Sequence, residues 1–380
     1  MTSKRILVVD DQPDRIQGLL PDLAEDLEAV HPRDLAADHI EAARVILVDH
    51  HLEASEWPER DSLPLSCQPQ NGVALAAVLQ AHLRSPQFRH VSPTAVALLS
   101  ARLDEVTPGF ANPPEHIAAQ ACGLDWAFTK KQAHGRLALR IPQLALRISQ
   151  LADAVERLPR KWPAENPNDL WSKISELLGI GSVEWEGTAV SHVERCHPPI
   201  HELAEWTDGI SFVRWFAQRI LPYPAFLLDL YQIAMRLGVR PLWMQEEIEA
   251  GGTLRNALEP ASYKGVLDQF LGARWWVAGL DELLWRETEG GSLDSREVKS
   301  WLKGIAASEP EWLADEEVLV LNGDLQYDGS TAPYSKGLEI HPDDWPPYAS
   351  APWTSIDRLS NSLRLRSLVS ASDVEKFGNA

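Results

Sequence analysis

Asp10, Asp11, Asp49, Ser100 and Lys130 each stand at the end of a short apolar run. Ile6–Val9 leads into the Asp10-Asp11 pair, Val45–Val48 into Asp49, Thr94–Leu99 into Ser100, and Trp126–Thr129 into Lys130. If these runs are parallel strands of one open sheet, the five side chains meet just beyond the carboxyl edge, where such sheets carry their active groups. Three carboxylates gathered there repel one another and take up protons unless a cation sits among them. An oxygen-only, partly hydrated donor set suits Mg2+. A carboxylate beside that ion can attack phosphorus and become an aspartyl phosphate. The ion and a lysine would then neutralise the transferring phosphoryl group, and Ser100 would offer a hydroxyl to one of its oxygens.

The elements that must position these residues are legible from the same runs. Short stretches rich in Val, Ile and Leu, separated by helical segments, predict buried strands of a parallel sheet with helices on both faces. The expected class for the first half is α/β.

The strings ILVVDDQPDR, VILVDHHL, AVALLSAR and GLDWAFTKK, in that order, resemble the receiver domain of two-component response regulators. That family has an acidic pair after its first strand, a phosphoacceptor Asp after the third, Thr or Ser after the fourth and Lys after the fifth. The resemblance covers about residues 4–152 and implies a flavodoxin-like, doubly wound, five-stranded parallel sheet. It makes Asp49 the phosphoacceptor, and Asp10, Asp11, Asp49 and the backbone carbonyl of His51 the Mg2+ ligands. It makes Ser100 the switch hydroxyl and Lys130 the phosphate-pairing cation. Asn71–Leu79 looks like the third helix of such a domain, with Gly72 near its start. The implied partner is a sensor histidine kinase or a phosphotransfer protein.

The chain also departs from that pattern. His51–Gln70 is lengthened and carries Pro58, Pro64 and Pro69. Arg102–Glu115 is lengthened and carries Pro108, Pro113 and Pro114. Lys131 stands where the family has proline. Ala127 stands at the usual aromatic position, with Trp126 and Phe128 beside it. These changes leave the phosphorylation chemistry in place and alter the expected route from it to the output face.

At 380 residues the chain predicts at least two domains. No apolar run approaches the length of a membrane span, and the Met-Thr-Ser-Lys-Arg start shows no signal peptide. Cys67, Cys122 and Cys196 form no disulfide framework, which fits a reducing cytoplasm. The domain expectation is a receiver-like domain over 1–155, a proline-rich linker over 156–168 and a mostly helical output domain over 169–380. Leu137–Leu158 is expected as an amphipathic helix, serving as a dimer seam or lever, or more plainly as a cover for the sheet.

Charge narrows the partners. Residues 1–155 hold 14 Lys plus Arg against 20 Asp plus Glu, and the remainder 21 against 35. A second half at −14 is repelled by nucleic-acid phosphates, and no basic recognition helix stands out, so DNA binding is not the expected output. An unidentified protein is the expected target of that half, with no membrane involved.

The second half reads as helical over Asp169–Leu178, Ile210–Ile220, Ala225–Leu237, Pro260–Phe270, Asp281–Arg286 and Asp294–Ala307, the last opening on a capping box, Asp294-Ser-Arg-Glu297. A small β element follows, with Val318–Leu321 turning at Asn322-Gly323 and Leu338–Ile340 expected as the return strand. Twelve of the 15 Trp lie from Trp171 to Trp353, and packing explains them better than an aromatic groove. His192, Cys196, His197 and His201 have zinc-ligand types, but Pro198-Pro199 interrupts them and a surface turn is the plainer account. Asp324 and Asp328 flank a turn without matching a calcium loop. Arg274 is expected to stack on an indole. No nucleophile–base pair is evident here. The leading expectation is therefore a phosphorylation switch with no catalysis beyond forming and losing its own phosphate. The alternatives are a pseudo-receiver scaffold and a receiver-gated enzyme with its site in 169–380.

Overall fold

The computed structural model describes residues 4–52, 69–85, 92–130, 144–159, 161–163, 166–205, 209–288, 295–314, 316–370 and 373. Two compact units interleave along the chain. One comprises residues 1–177, 198–218 and 265–272, and the other 178–197, 219–264 and 273–380.

The first unit is built on five parallel strands in the order β2-β1-β3-β4-β5, namely β1 (Ile6–Val9), β2 (Leu27–Val30), β3 (Val45–Asp49), β4 (Ala95–Ser100) and β5 (Trp126–Thr129). β1, β3 and β4 are buried along their whole length, as expected of strands covered on both faces. The edge strand β2 carries half-buried Glu28 and Ala29 in its middle. Around the sheet lie α1 (Pro13–Leu19), α2 (Ala37–Ala42), α3 (Gly72–Leu83), α4 (Glu115–Cys122) and α5 (Leu144–Glu156). Ile148, Leu151 and Val155 of α5 are buried, and the helix lies against β3 and β4. The expected portion of this helix from 137 to 143, like Lys131 and the proline-rich stretch 53–68, lies outside the described residues. Also in this unit are α6 (Pro167–Leu177), α8 (Ile200–Glu205) and α9 (Ile210–Trp215).

The second unit is mostly helical: α7 (Glu186–Arg195), α10 (Leu230–Leu237), α11 (Pro241–Ala250), α12 (Thr253–Leu258), α13 (Val277–Glu287) and α14 (Ser295–Ile305). Trp243, Met244, Leu254, Leu280 and Leu302 form one core. A second gathers Leu321, Leu338, Ile340, Leu359 and Leu365. Three two-stranded antiparallel pairs complete the unit: β6 (Leu227–Leu228) with β7 (Trp275–Trp276), β8 (Glu317–Leu321) with β9 (Tyr327–Pro333), and β10 (Gly337–Glu339) with β11 (Trp353–Ser355). Two short helices follow, α15 (Ile356–Ser360) and α16 (Leu363–Leu368). Trp276 stacks on Phe226 at 5.3 Å and meets Trp185 and Tyr263 within 6 Å, so these rings are packing. Among the described residues no helix is long and apolar enough to cross a membrane.

Four expectations are corrected. The helix expected over Ala225–Leu237 begins only at Leu230, because Leu227–Leu228 pair with Trp275–Trp276 as a strand and Asp229 then caps the helix. Pro260–Phe270 is not a helix. After a short turn at Glu259–Ala261, Leu267, Gln269 and Gly272 take positive φ, which a right-handed helix cannot contain. The return strand of β8 is Tyr327–Pro333, while Leu338 pairs with Thr354 instead. Among the described residues Arg274 stacks on no indole; its guanidinium donates to the Leu221 carbonyl at 3.1–3.3 Å. Asp294, the proposed cap of α14, lies outside the described residues.

Candidate functional site

The register of the sheet brings the acidic residues together. β1 and β3 pair Val9 with Val48, so Asp10 and Asp49 emerge at the same level on neighbouring strands. β3 pairs Asp49 with Leu99, and β4 pairs Ser100 with Thr129. Ser100 thus stands one residue beyond Asp49, and Lys130 one beyond that. Carboxylate oxygens of Asp10, Asp11 and Asp49 lie within 4.8 Å of one another. Lys130 Nζ is 2.7 Å from Asp49 Oδ1 and 3.3 Å from Asp10 Oδ2.

Asp10, Asp11, Asp49, His51 and Lys130 line a half-open hollow of about 330 Å3, with Gln12, Arg15, Ile16 and Leu19. Asp49 is only 8% exposed, yet it faces this hollow. Burial pushes its carboxyl above the ordinary aspartate value; Lys130 opposes that, and Asp10 and Asp11 add to it. A divalent cation would relieve the repulsion, and three carboxylates within 4.8 Å offer the oxygens to hold one. Ser100 is fully buried and is not among the described lining residues; its Oγ accepts the Arg102 N–H at 2.9 Å, leaving its own proton free to donate elsewhere.

Local sequence explains how the acids are held. The Gln12 N–H donates to Asp10 Oδ1 at 2.8 Å and fixes that side chain at the mouth of α1. Asn71 caps α3 by accepting the Ala74 N–H at 3.0 Å, and the Gly72 N–H donates to the His50 carbonyl at 2.9 Å. A Cβ on Gly72 would fall 1.8 Å from the Asp49 carbonyl oxygen, so only glycine lets α3 begin this close to the strand end.

A polar relay behind β5 escapes sequence reasoning. The Thr129 N–H donates to Glu115 Oε1 at 2.9 Å, and Glu115 Oε2 pairs with Arg147 of α5. Arg147 is 3% exposed, donates from Nε to the Phe270 carbonyl at 3.0 Å, and lies over the rings of Trp126, Phe128 and Phe270 at 5.1–5.9 Å. The one available signal was Arg147 itself, a charged residue interrupting the apolar face of α5.

The other sequence candidates do not assemble. Among the described residues, His192, Cys196, His197 and His201 form no ligand cluster. Burial pushes the Cys196 thiol up to about 12. Asp328 receives Arg358 Nη2 on both oxygens, at 2.8 and 3.0 Å, and so is a paired turn residue. Asp229 caps α10 reciprocally with Gln232.

Comparison with known proteins adds no relative. No protein-family model matches the chain, and neither a curated protein nor a solved structure matches it.

Proposed function

We propose that this chain is a receiver-type signalling protein that takes phosphate on Asp49 and uses it to change the contacts of its Trp-rich second half. The observation carrying this reading is Asp49 itself: a buried, uplifted carboxylate at a strand end, with two further aspartates on one side and Lys130 Nζ 2.7 Å away. The strand order 2-1-3-4-5 supports a flavodoxin-like assignment, in which ligands bind beyond the strand ends.

Mg2+ is the cation this donor set fits, with Asp10, Asp11, Asp49 and the His51 carbonyl as its protein ligands. When bound it supplies neutralising charge for the incoming phosphoryl oxygens. The residues do the rest. An Asp49 oxygen forms the new bond to phosphorus as the bond from phosphorus to the donor breaks, whether that donor is a phosphohistidine nitrogen of a partner kinase or an oxygen of acetyl phosphate. Lys130 moves from pairing the bare carboxylate to pairing the phosphoryl group. Ser100, with its proton uncommitted, turns to a phosphoryl oxygen. Lys130 follows Thr129 directly, so a shift at Lys130 reaches the Thr129–Glu115–Arg147 relay. Phosphate switches act in this way, biasing an element with two arrangements by added charge. The acidic second half (−14) favours a protein target over nucleic acid.

Incubation with Mg2+ and acetyl phosphate, followed by mass spectrometry, tests the reading. The expected result is one phosphoryl group on Asp49, lost in Asp49→Asn and absent with chelator. An unmodified chain, or an adduct that survives Asp49→Asn, sinks the switch and leaves a docking scaffold.

A further inference from the structure

Immediately after Asp49 the chain carries two histidines, and neither is needed for phosphate chemistry through its side chain. His50 is 6% exposed, and its Nδ1 is shut from solvent without a hydrogen-bond partner among the described residues. A buried imidazole nitrogen in that condition is costly unless something occupies it. It points toward Glu105, whose Oε2 lies 3.7 Å away. His51 Nε2 approaches the same Oε2 at 3.0 Å. The two rings stand 4.6 Å apart, and the three ligand atoms lie within 4.8 Å of one another. We propose that His50 Nδ1, His51 Nε2 and Glu105 form a second metal site, one that takes a zinc-class divalent transition ion.

The geometry suits that ion. With bonds of about 2.0–2.1 Å, neighbouring ligands of a tetrahedral ion stand about 3.3–3.4 Å apart, close to the 3.0 and 3.7 Å found here. Two imidazoles and one carboxylate with a water in the fourth position make a familiar zinc set. Arg102 Nη2 holds the other Glu105 oxygen at 2.9 Å, which keeps Oε2 turned toward the histidines. Ligand chemistry separates the two sites. The three-carboxylate set of Asp10, Asp11 and Asp49 suits Mg2+, and the nitrogen-rich set suits zinc, nickel or copper ions. His51 borders both, since it also lines the acidic hollow. A bound ion would therefore pin the two residues that follow Asp49. The proposal does not rest on phosphate transfer, because its readout is metal occupancy.

The test titrates metal-free full-length protein with Zn2+ against a chromophoric chelator, in excess Mg2+ so that the acidic hollow is saturated. One equivalent is expected to bind, and Co2+ in its place should show a four-coordinate visible spectrum. His51 and Glu105 have half- and one-third-exposed side chains, so His51→Ala and Glu105→Gln are expected to fold. Each should weaken zinc binding by at least about a hundredfold, since even groups behind the ligands are worth 10–100-fold. His192→Ala should leave binding unchanged. Absence of stoichiometric zinc under excess Mg2+, or binding that both His51→Ala and Glu105→Gln leave intact, would overturn the proposal.

Discussion

Asp125, at the amino edge of the parallel sheet, and Asp49, at its carboxyl edge, are both buried aspartates in opposite circumstances. Asp125 is 2% exposed, and its two oxygens accept Arg214 Nη2 at 2.6 Å, Arg214 Nε at 3.0 Å and the Val96 N–H at 2.7 Å. Donors meet the charge on both oxygens. Asp49 has one cation at 2.7 Å and two further carboxylates as neighbours. The first arrangement spends the charge on holding β4, β5 and α9 together. The second leaves it under-compensated at a hollow, which is the condition for reactivity.

That contrast can be broken at either edge. The largest effect is expected at Asp125. Asp125→Ala removes the acceptor of the Val96 N–H and breaks the pair with Arg214, and should cost roughly 3 kcal/mol, the low end for a broken buried pair because the Arg214 side chain is 34% exposed. Urea unfolding checks this; a loss within experimental scatter would mean that the pair is ornamental. Gly72→Ala comes next, at about 2–3 kcal/mol, because the new methyl forces α3 away from the Asp49 carbonyl. The same variant should label poorly with acetyl phosphate, whereas Asp125→Ala that remains folded should label normally.

At Asp49 the sign reverses. Its carboxyl is lifted in the folded state by burial, so the native chain holds that proton more tightly than the unfolded chain does. The penalty of ionising it is absent below the ordinary aspartate range and complete above the lifted value. Asp49→Asn should therefore melt higher than the parent at neutral pH in chelator. That advantage should shrink as pH falls through the window, and Mg2+ should narrow it by stabilising the parent. A neutral-pH melt in which Asp49→Asn is the less stable would contradict this account.

The smallest effect concerns a thiol outside both edges. Cys196 is buried, with its pKa at about 12, so native protein at pH 8 should alkylate there far more slowly than urea-unfolded protein. Equal rates would show that α7 opens readily.

Much of the sheet was legible because its determinants are local. Val45–Val48 and Ala95–Leu99 are uninterrupted apolar runs of strand length, and each ends abruptly at a polar residue, which marks both the strand and its exit. The string 260–270 was misread for the opposite reason. Its apolar spacing is compatible with a helix, and nothing in the residue types of Leu267 or Gln269 announces the positive φ that both adopt.

Residue order and type alone determined which groups could meet: acids after the first and third strands, a hydroxyl after the fourth and a lysine after the fifth. They also determined a strongly acidic second half. Tertiary structure alone decided that carboxylates from 10, 11 and 49 approach within 4.8 Å, that Gly72 must lack a side chain, and that residues 198–218 and 265–272 belong to the same compact unit as the sheet. It alone connected Glu115 to Arg147 and Arg147 to Phe270, across 32 and 123 positions of chain. The physical reason is range: strand propensity and turn chemistry act over a few residues, whereas charge compensation and close packing depend on whatever the fold brings within a few ångströms.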